Sequence, residues 1–159
     1  PLLSRDAVAT VRDELLPLAT IVTPNLFEAG MLTGMDVHSQ EQMEEAARAI
    51  AEMGPPVVVV KGGHLEGTPV DLVLENGTVH WLEAVRVDTQ NTHGTGCTFS
   101  AAIAALLAHG CSNLEAIRLA KLFVTNALQH SYRIGEGHSP ANHFAPLPVE
   151  IAERIRQPA

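Results

Sequence analysis

Apolar positions recur along the chain with two different periods, and the switches between them mark the elements. Ala7, Val8, Val11, Leu15 and Leu16 fall at helical spacing over residues 5–16, with Ser4 as the N-cap and Pro17 as the stop. Thr20–Thr23 is a short apolar strand running into Pro24. Leu26–Thr33 predicts a helix ended by Gly34, and Ser39–Met53 a second one with Glu41 and Gln42 in its first turn. Pro55-Pro56 resets the chain before Val57-Val58-Val59-Val60. That unbroken β-branched run, bounded by Pro and Gly, predicts a strand buried on both faces. Val70–Leu74 and Thr78–Val87, joined through Glu75-Asn76-Gly77, predict a hairpin. Asp88–Gly96 is a polar loop, followed by a small-residue helix over Cys97–His109 that Gly110 closes. Asn113–His130 is a longer helix with Asn113 as its N-cap, residues 135–148 predict irregular chain, and Pro148–Arg156 a last short helix.

Helices and strands in this order imply an α/β protein with a mainly parallel sheet. The pattern contains two central parallel strands, too few for a complete sheet. The others are expected from another chain or from an N-terminal half absent here, and a helix beginning almost at residue 1 without a Met points to a fragment of a longer protein. The 159 residues suffice for one domain with a core. Hydrophobic residues make up 46% and the mean hydropathy is +0.11, a soluble globular composition. No apolar run approaches the roughly 18 residues of a membrane helix, and the first six residues carry no signal-peptide pattern.

Charge narrows the choice of partners. Ten basic against eighteen acidic residues, a net charge of −8, argue against a nucleic-acid or membrane surface, both of which need a basic footprint. A small phosphorylated substrate needs only local positive charge. Two cysteines, Cys97 and Cys111, are too few for a disulfide framework and suit a cytoplasmic protein.

The most informative stretch runs from Asn91 to Ala102, Asn-Thr-His-Gly-Thr-Gly-Cys-Thr-Phe-Ser-Ala-Ala. Gly94 and Gly96 let the backbone turn tightly and present its N–H groups on one side, and the helix that follows aims its positive end at the same spot. Together these make an anion hole. The glycines by themselves are equally those of an ordinary loop capping a helix. The stretch is neither a P-loop, since no Gly-Lys-Ser/Thr follows, nor a dinucleotide fingerprint, since the glycine spacing differs. Cys97 stands at a helix start, where the dipole favours a thiolate, against the alternative of a small inert cysteine. A Cys97–His93 nucleophile lacks any accompanying acyl-transfer motif. Lys61, after four apolar residues, should emerge at the strand's carboxyl edge and neutralise phosphate, or be an ordinary surface lysine. Glu28 and Asn25 follow a strand end, where open α/β sheets place ligands; alternatively Glu28 is a solvated first-turn carboxylate. His64 contacts phosphate or substrate, or neither. His138 and His143 read as loop histidines without zinc spacing, Trp81 as packing, and Val87, Ala120 and Val124 as helix core before adenine pocket.

Four motifs in order then resemble one family. Asn91–Cys97 resembles the anion-hole motif of the ribokinase-like superfamily in the form, with Cys in place of Asp, typical of hydroxymethylpyrimidine phosphate kinases. Thr23-Pro-Asn-Leu-Phe-Glu-Ala29, Val60-Lys61-Gly62-Gly63-His64 and Asp71-Leu-Val-Leu74 with its hairpin resemble the family's other segments. The resemblance covers essentially the whole chain, as the C-terminal part of a single kinase domain spanning residues 1–159. It implies a three-layer α/β/α fold and phosphorylation, with ATP and Mg²⁺, of hydroxymethylpyrimidine and then its monophosphate in thiamine biosynthesis. Pyridoxal or pyridoxine is the alternative substrate, and a non-catalytic nucleotide-binding or docking fragment the alternative from another class. For residues it implies Cys97 in the base position and Gly94, Thr95 and Gly96 acting through backbone N–H groups. Glu28 would help hold Mg²⁺, and Thr23, Asn25, Lys61 and His64 would lie toward the nucleotide. It also implies a homodimer.

Overall fold

The computed structural model describes residues 5–63 and 69–157. The chain divides into two compact units, one ending at Glu83 and the other beginning at Ala84. Ser4, the expected first N-cap, and His64 lie outside the described residues.

In the first unit, α1 (Arg5–Thr10) continues through one π-helical turn (Val11–Leu15) and one 3-10 turn (Leu16–Leu18). Pro17 sits in the last of these, so the expected helix forms but tightens and stops around the proline. Two further helices follow β1 (Ile21–Val22). Helix α2 (Leu26–Thr33) ends at Gly34 with φ 76°, a left-handed cap that glycine adopts without strain. Helix α3 (Gln40–Ala51) starts at Ser39, whose side chain accepts from the Gln42 N–H at 3.3 Å. Its Met43, Ala46, Ala47 and Ile50 repeat at helical spacing and are fully buried.

Strands β2 (Val57–Lys61), β3 (Val70–Glu75) and β4 (Thr78–Glu83) complete a four-stranded sheet in the order β1-β2-β3-β4. Only β1 and β2 are parallel; β2–β3 and β3–β4 are antiparallel. The sheet among the described residues is thus mixed, which corrects the mainly parallel expectation. A parallel partner needs a crossover of roughly a dozen residues or more, and the link from Lys61 to Val70 is shorter. The hairpin turn is as read: Asn76 and Gly77 have φ 50° and 80°, the paired positive values of a type I′ turn. Val57 to Val60 are all buried, as the unbroken run predicts. Val58 and Val60 join Leu72, Leu74, Ala29 and the α3 residues in one core, each buried Val worth about 1.5–3 kcal/mol. A Cβ on Gly62 would stand 2.1 Å from the Val70 carbonyl oxygen, so only glycine lets β3 start so close to the end of β2.

The second unit holds α4 (Thr95–Ala108), α5 (Asn113–Gln129) and α6 (Val149–Arg156). Thr98, Phe99, Ile103 and Leu106 form the buried stripe of α4; Ala116, Ile117, Leu119, Ala120 and Ala127 that of α5. Full burial of Ala120 makes it helix core. Helix α4 begins two residues before Cys97, at Thr95. Helix α5 is capped by Ser112, not Asn113: the Ser112 hydroxyl accepts from the Glu115 N–H at 3.3 Å. Arg118–Glu150 at 2.7 Å and Arg154–Glu115 at 3.4 Å tie α6 to α5. Residues 135–148 carry no helix or strand beyond a bridge at Pro140, as expected of them.

Candidate active site

Sequence-predicted residues gather in two groups, one in each unit. In the first, the chain leaves β1 through half-buried Thr23 and buried Pro24. The Lys61 N–H donates to the Pro24 carbonyl at 2.8 Å, and Asn25 and Lys61 pair as a parallel bridge. The carboxyl ends of β1 and β2 therefore lie side by side, the position at which open α/β sheets receive ligands. Asn25 then caps α2 reciprocally. Its Oδ1 accepts from the Glu28 N–H at 2.9 Å, and Glu28 Oε2 accepts from the Asn25 N–H at 2.8 Å. One Glu28 oxygen and the Asn25 amide oxygen are thus engaged, while Glu28 Oε1 is bonded to none of the described residues. Thr23, Asn25 and Glu28 line a trough of about 900 Å³.

Across the β2–β3 ladder from Lys61 stands Asp71, 7% exposed, its Oδ1 accepting from the Gly62 N–H at 3.0 Å. A buried carboxylate that fixes the backbone right after Lys61 helps set where the lysine emerges. The sequence reading has it only within the Asp71–Leu74 motif, with no role of its own, although an acid inside an otherwise apolar strand is a legible signal.

In the second group, Gly94 adopts φ 79° and Thr95 opens α4. The Thr95 N–H donates to Thr92 O at 3.3 Å and the Thr98 N–H to Gly94 O at 2.9 Å. Between them, the N–H groups of Gly96 and Cys97 bond to none of the described residues. Two of the donors that any helix start leaves over are therefore available, backed by the positive end of α4. Cys97 is exposed at the same place, its thiol free. A cavity of about 650 Å³ opens beside it, with Gly94, Cys97 and Thr98 at one end and Ala101, Ala105, Phe123, Leu147 and Ile151 along its walls. Nothing lies within 4 Å of the place a Cβ on Gly94 would take, so the turn is open on that side. No hydrogen bond joins the His93 ring to Cys97 among the described residues, so the nucleophilic pair finds no support. Cys111 differs: it is buried, and burial pushes its thiol pKa up, with nearby Glu115 adding to the rise.

The segment read as loop histidines fastens this turn. The His93 N–H donates to Ser139 O at 3.3 Å, Asn91 Nδ2 donates to Ser131 Oγ at 3.1 Å, and His143 Nε2 lies 2.7 Å from Thr98 Oγ1. His138 and His143 are both exposed residues of the irregular segment, as read, but His143 also bonds Thr98. Its partner lies 45 positions away, beyond any local pattern. Among the described residues no group of three or more His, Cys, Asp or Glu side chains could hold a metal ion by itself, and no helix is long and apolar enough to cross a membrane.

The sequence matches the family described as phosphomethylpyrimidine kinase over residues 1–142. The chain belongs to that family. A hydroxymethylpyrimidine/phosphomethylpyrimidine kinase of Synechococcus elongatus is 45% identical over 148 residues, 92% of this chain and 56% of that protein. Among solved structures, pyridoxal kinase of Bacillus subtilis in an ADP complex superposes with TM-score 0.87 at 41% identity, over 91% of this chain and 57% of that one. Staphylococcus aureus pyridoxal kinase in complex with AMP-PCP and pyridoxal gives TM-score 0.88 at 38% identity, over 91% and 55%. These likenesses make the fold that of the ribokinase-like kinases, as the phosphomethylpyrimidine kinase motifs imply. The chain spans about half the length of the curated relatives it matches.

Proposed function

We propose that this chain is the C-terminal part of one ribokinase-like, three-layer α/β/α kinase domain. In this reading the domain transfers a phosphoryl group from ATP to hydroxymethylpyrimidine and then to its monophosphate, in thiamine biosynthesis. The observation that carries the reading is the first turn of α4, with two unbonded amides beside an exposed thiol in a member of this family. Phosphoryl transfer asks for positioning and charge neutralisation more than for covalent chemistry. The Gly96 and Cys97 N–H groups, presented by Gly94 and Thr95, take up negative charge on the transferring group. Cys97 addresses the acceptor hydroxyl and takes or orients its proton. Lys61, at the carboxyl end of β2, neutralises phosphate charge as a point cation, with Thr23 and Asn25 beside it; His64, proposed from its motif as a contact to nucleotide or substrate, lies outside the described residues.

Glu28 suits Mg²⁺. That ion keeps several waters and uses one or two carboxylates together with substrate phosphates, which fits a single exposed carboxylate with one open oxygen. Bound there, the ion would neutralise charge on the phosphate oxygens. A cytoplasmic location follows from ATP as donor, and a homodimer is the proposed assembly.

A second reading, pyridoxal kinase activity, is favoured by the two superposed structures, both of which bear that name. Turnover of the enzyme containing this chain, compared on hydroxymethylpyrimidine, its monophosphate and pyridoxal with Mg·ATP, separates the two. The pyrimidines are expected to give the higher kcat/KM. A much higher value on pyridoxal reverses the order, and no turnover on any of them leaves a nucleotide-binding or docking module.

A further inference from the structure

We infer that His143 is a positioning residue for the phosphoryl-binding turn, acting through Thr98. The inference rests on the reading of that turn given above. The Thr98 hydroxyl lies 2.8 Å from the Gly94 carbonyl oxygen and 2.7 Å from His143 Nε2. It has one hydrogen to give, and a carbonyl oxygen can only accept. Two oxygens 2.8 Å apart without a hydrogen between them repel, so the hydroxyl hydrogen goes to Gly94. Nε2 is then the donor, and the imidazole carries a hydrogen on Nε2.

The chain His143 Nε2–H to Thr98 Oγ1–H to Gly94 C=O ends on the peptide that opens α4. Gly94 O receives the Thr98 N–H as well, at 2.9 Å, so one buried residue grips this carbonyl twice. The same peptide unit carries the Thr95 N–H, and the next two amides are the unbonded ones of Gly96 and Cys97. A rotation of the Gly94 peptide would swing them away from an anion; the grip opposes that rotation, and His143 fixes the hydroxyl that makes half of it. The histidine is itself held from a firm point. Asn142 donates its backbone N–H to Ala127 O at 3.0 Å and its Nδ2 to His130 O at 3.1 Å, and its Oδ1 accepts from the Phe144 N–H at 3.0 Å. Both neighbours of His143 are thereby engaged, one of them on the end of α5. His143 acts through Thr98 and contributes no group to the reacting atoms.

The test combines kinetics with a tautomer measurement on the enzyme containing this chain. His143→Leu removes the donor. His143→Gln keeps an N–H at comparable reach. Leu is expected to lower kcat about five- to tenfold, the scale of one hydrogen bond, with KM for ATP nearly unchanged, and Gln to recover most of that loss. Thr98→Val should reproduce the Leu effect, and the double variant should add little to it. Nitrogen-15 NMR of the imidazole should find His143 in the Nε2–H form. An Nδ1–H tautomer, a Gln variant no better than Leu, full kcat in the Leu variant, or additive losses in the double variant each overturn the inference. Absence of turnover in the unsubstituted enzyme overturns the kinase reading instead. The tautomer, and the weakening by His143→Leu of inorganic pyrophosphate binding at the Gly96 and Cys97 amide resonances, then still decide the role of His143.

Discussion

Cys97 and Cys111 differ in what surrounds their sulfur, and each sets its own expectation. Cys97 is exposed on the first turn of α4 beside two unbonded amides. If it serves the acceptor hydroxyl, Cys97→Ala should lower kcat by roughly 10²-fold or more while ATP binding changes little. Steady-state kinetics and nucleotide titration check this, and equal losses in both would assign the residue to packing. Cys111 is buried, and its folded-state thiol pKa is raised chiefly by that burial. A raised pKa means that the folded state holds the proton more tightly than the unfolded chain. The contribution of Cys111 to stability is therefore fully present below the ordinary thiol value, about 8.5, and is lost as pH rises through the higher folded value. The melting temperature should fall as pH rises above the ordinary thiol value, and Cys111→Ala should flatten that fall. An unchanged slope in the variant would remove Cys111 as the cause.

At the scale of elements, most starts and stops were readable because they rest on neighbours in sequence. Gly34, Ser39 and Asn76-Gly77 act within three or four residues of themselves. Asn113 was misread by one position, because Ser112 and Asn113 are both capping types and only the backbone decides which lies outside the helix. The direction of β3 was harder. Apolar period shows that a strand exists, whereas its direction follows from how far the link between strands can reach. The capping box on α2 yields a prediction at this scale. Glu28→Gln keeps an oxygen to accept the Asn25 N–H, so stability should hold to within about 0.5 kcal/mol, while Glu28→Ala should cost about 1 kcal/mol. Both should weaken Mg²⁺-dependent turnover alike. Denaturant unfolding set beside a Mg²⁺ titration makes the comparison, and a Gln variant with full Mg²⁺ response would confine Glu28 to its capping role.

For the whole molecule, the chain covers 92% of itself but 56% of its Synechococcus relative when the two are matched. If the domain is completed by the other half of such a relative, the 159-residue polypeptide alone should release ADP from ATP at a negligible rate with any pyrimidine substrate. A coupled ADP assay measures this, and turnover close to that of the enzyme containing this chain would contradict the reading of residues 1–159 as part of a domain. What the amino-acid sequence determined alone is local: helical and strand periods, caps and turns, and the order of four motifs, down to the glycines and the cysteine of the turn that opens α4. Each depends on residues a few positions apart, whose preferences survive in any context. Three things only the tertiary structure decided. They are the antiparallel β3, the pairing of Asn25 with Lys61 at adjacent strand ends, and the bond that brings His143 from the irregular segment to Thr98. Each joins residues distant along the chain. Such contacts form only when packing has offset the entropy of closing the intervening loops, and no local pattern encodes that balance.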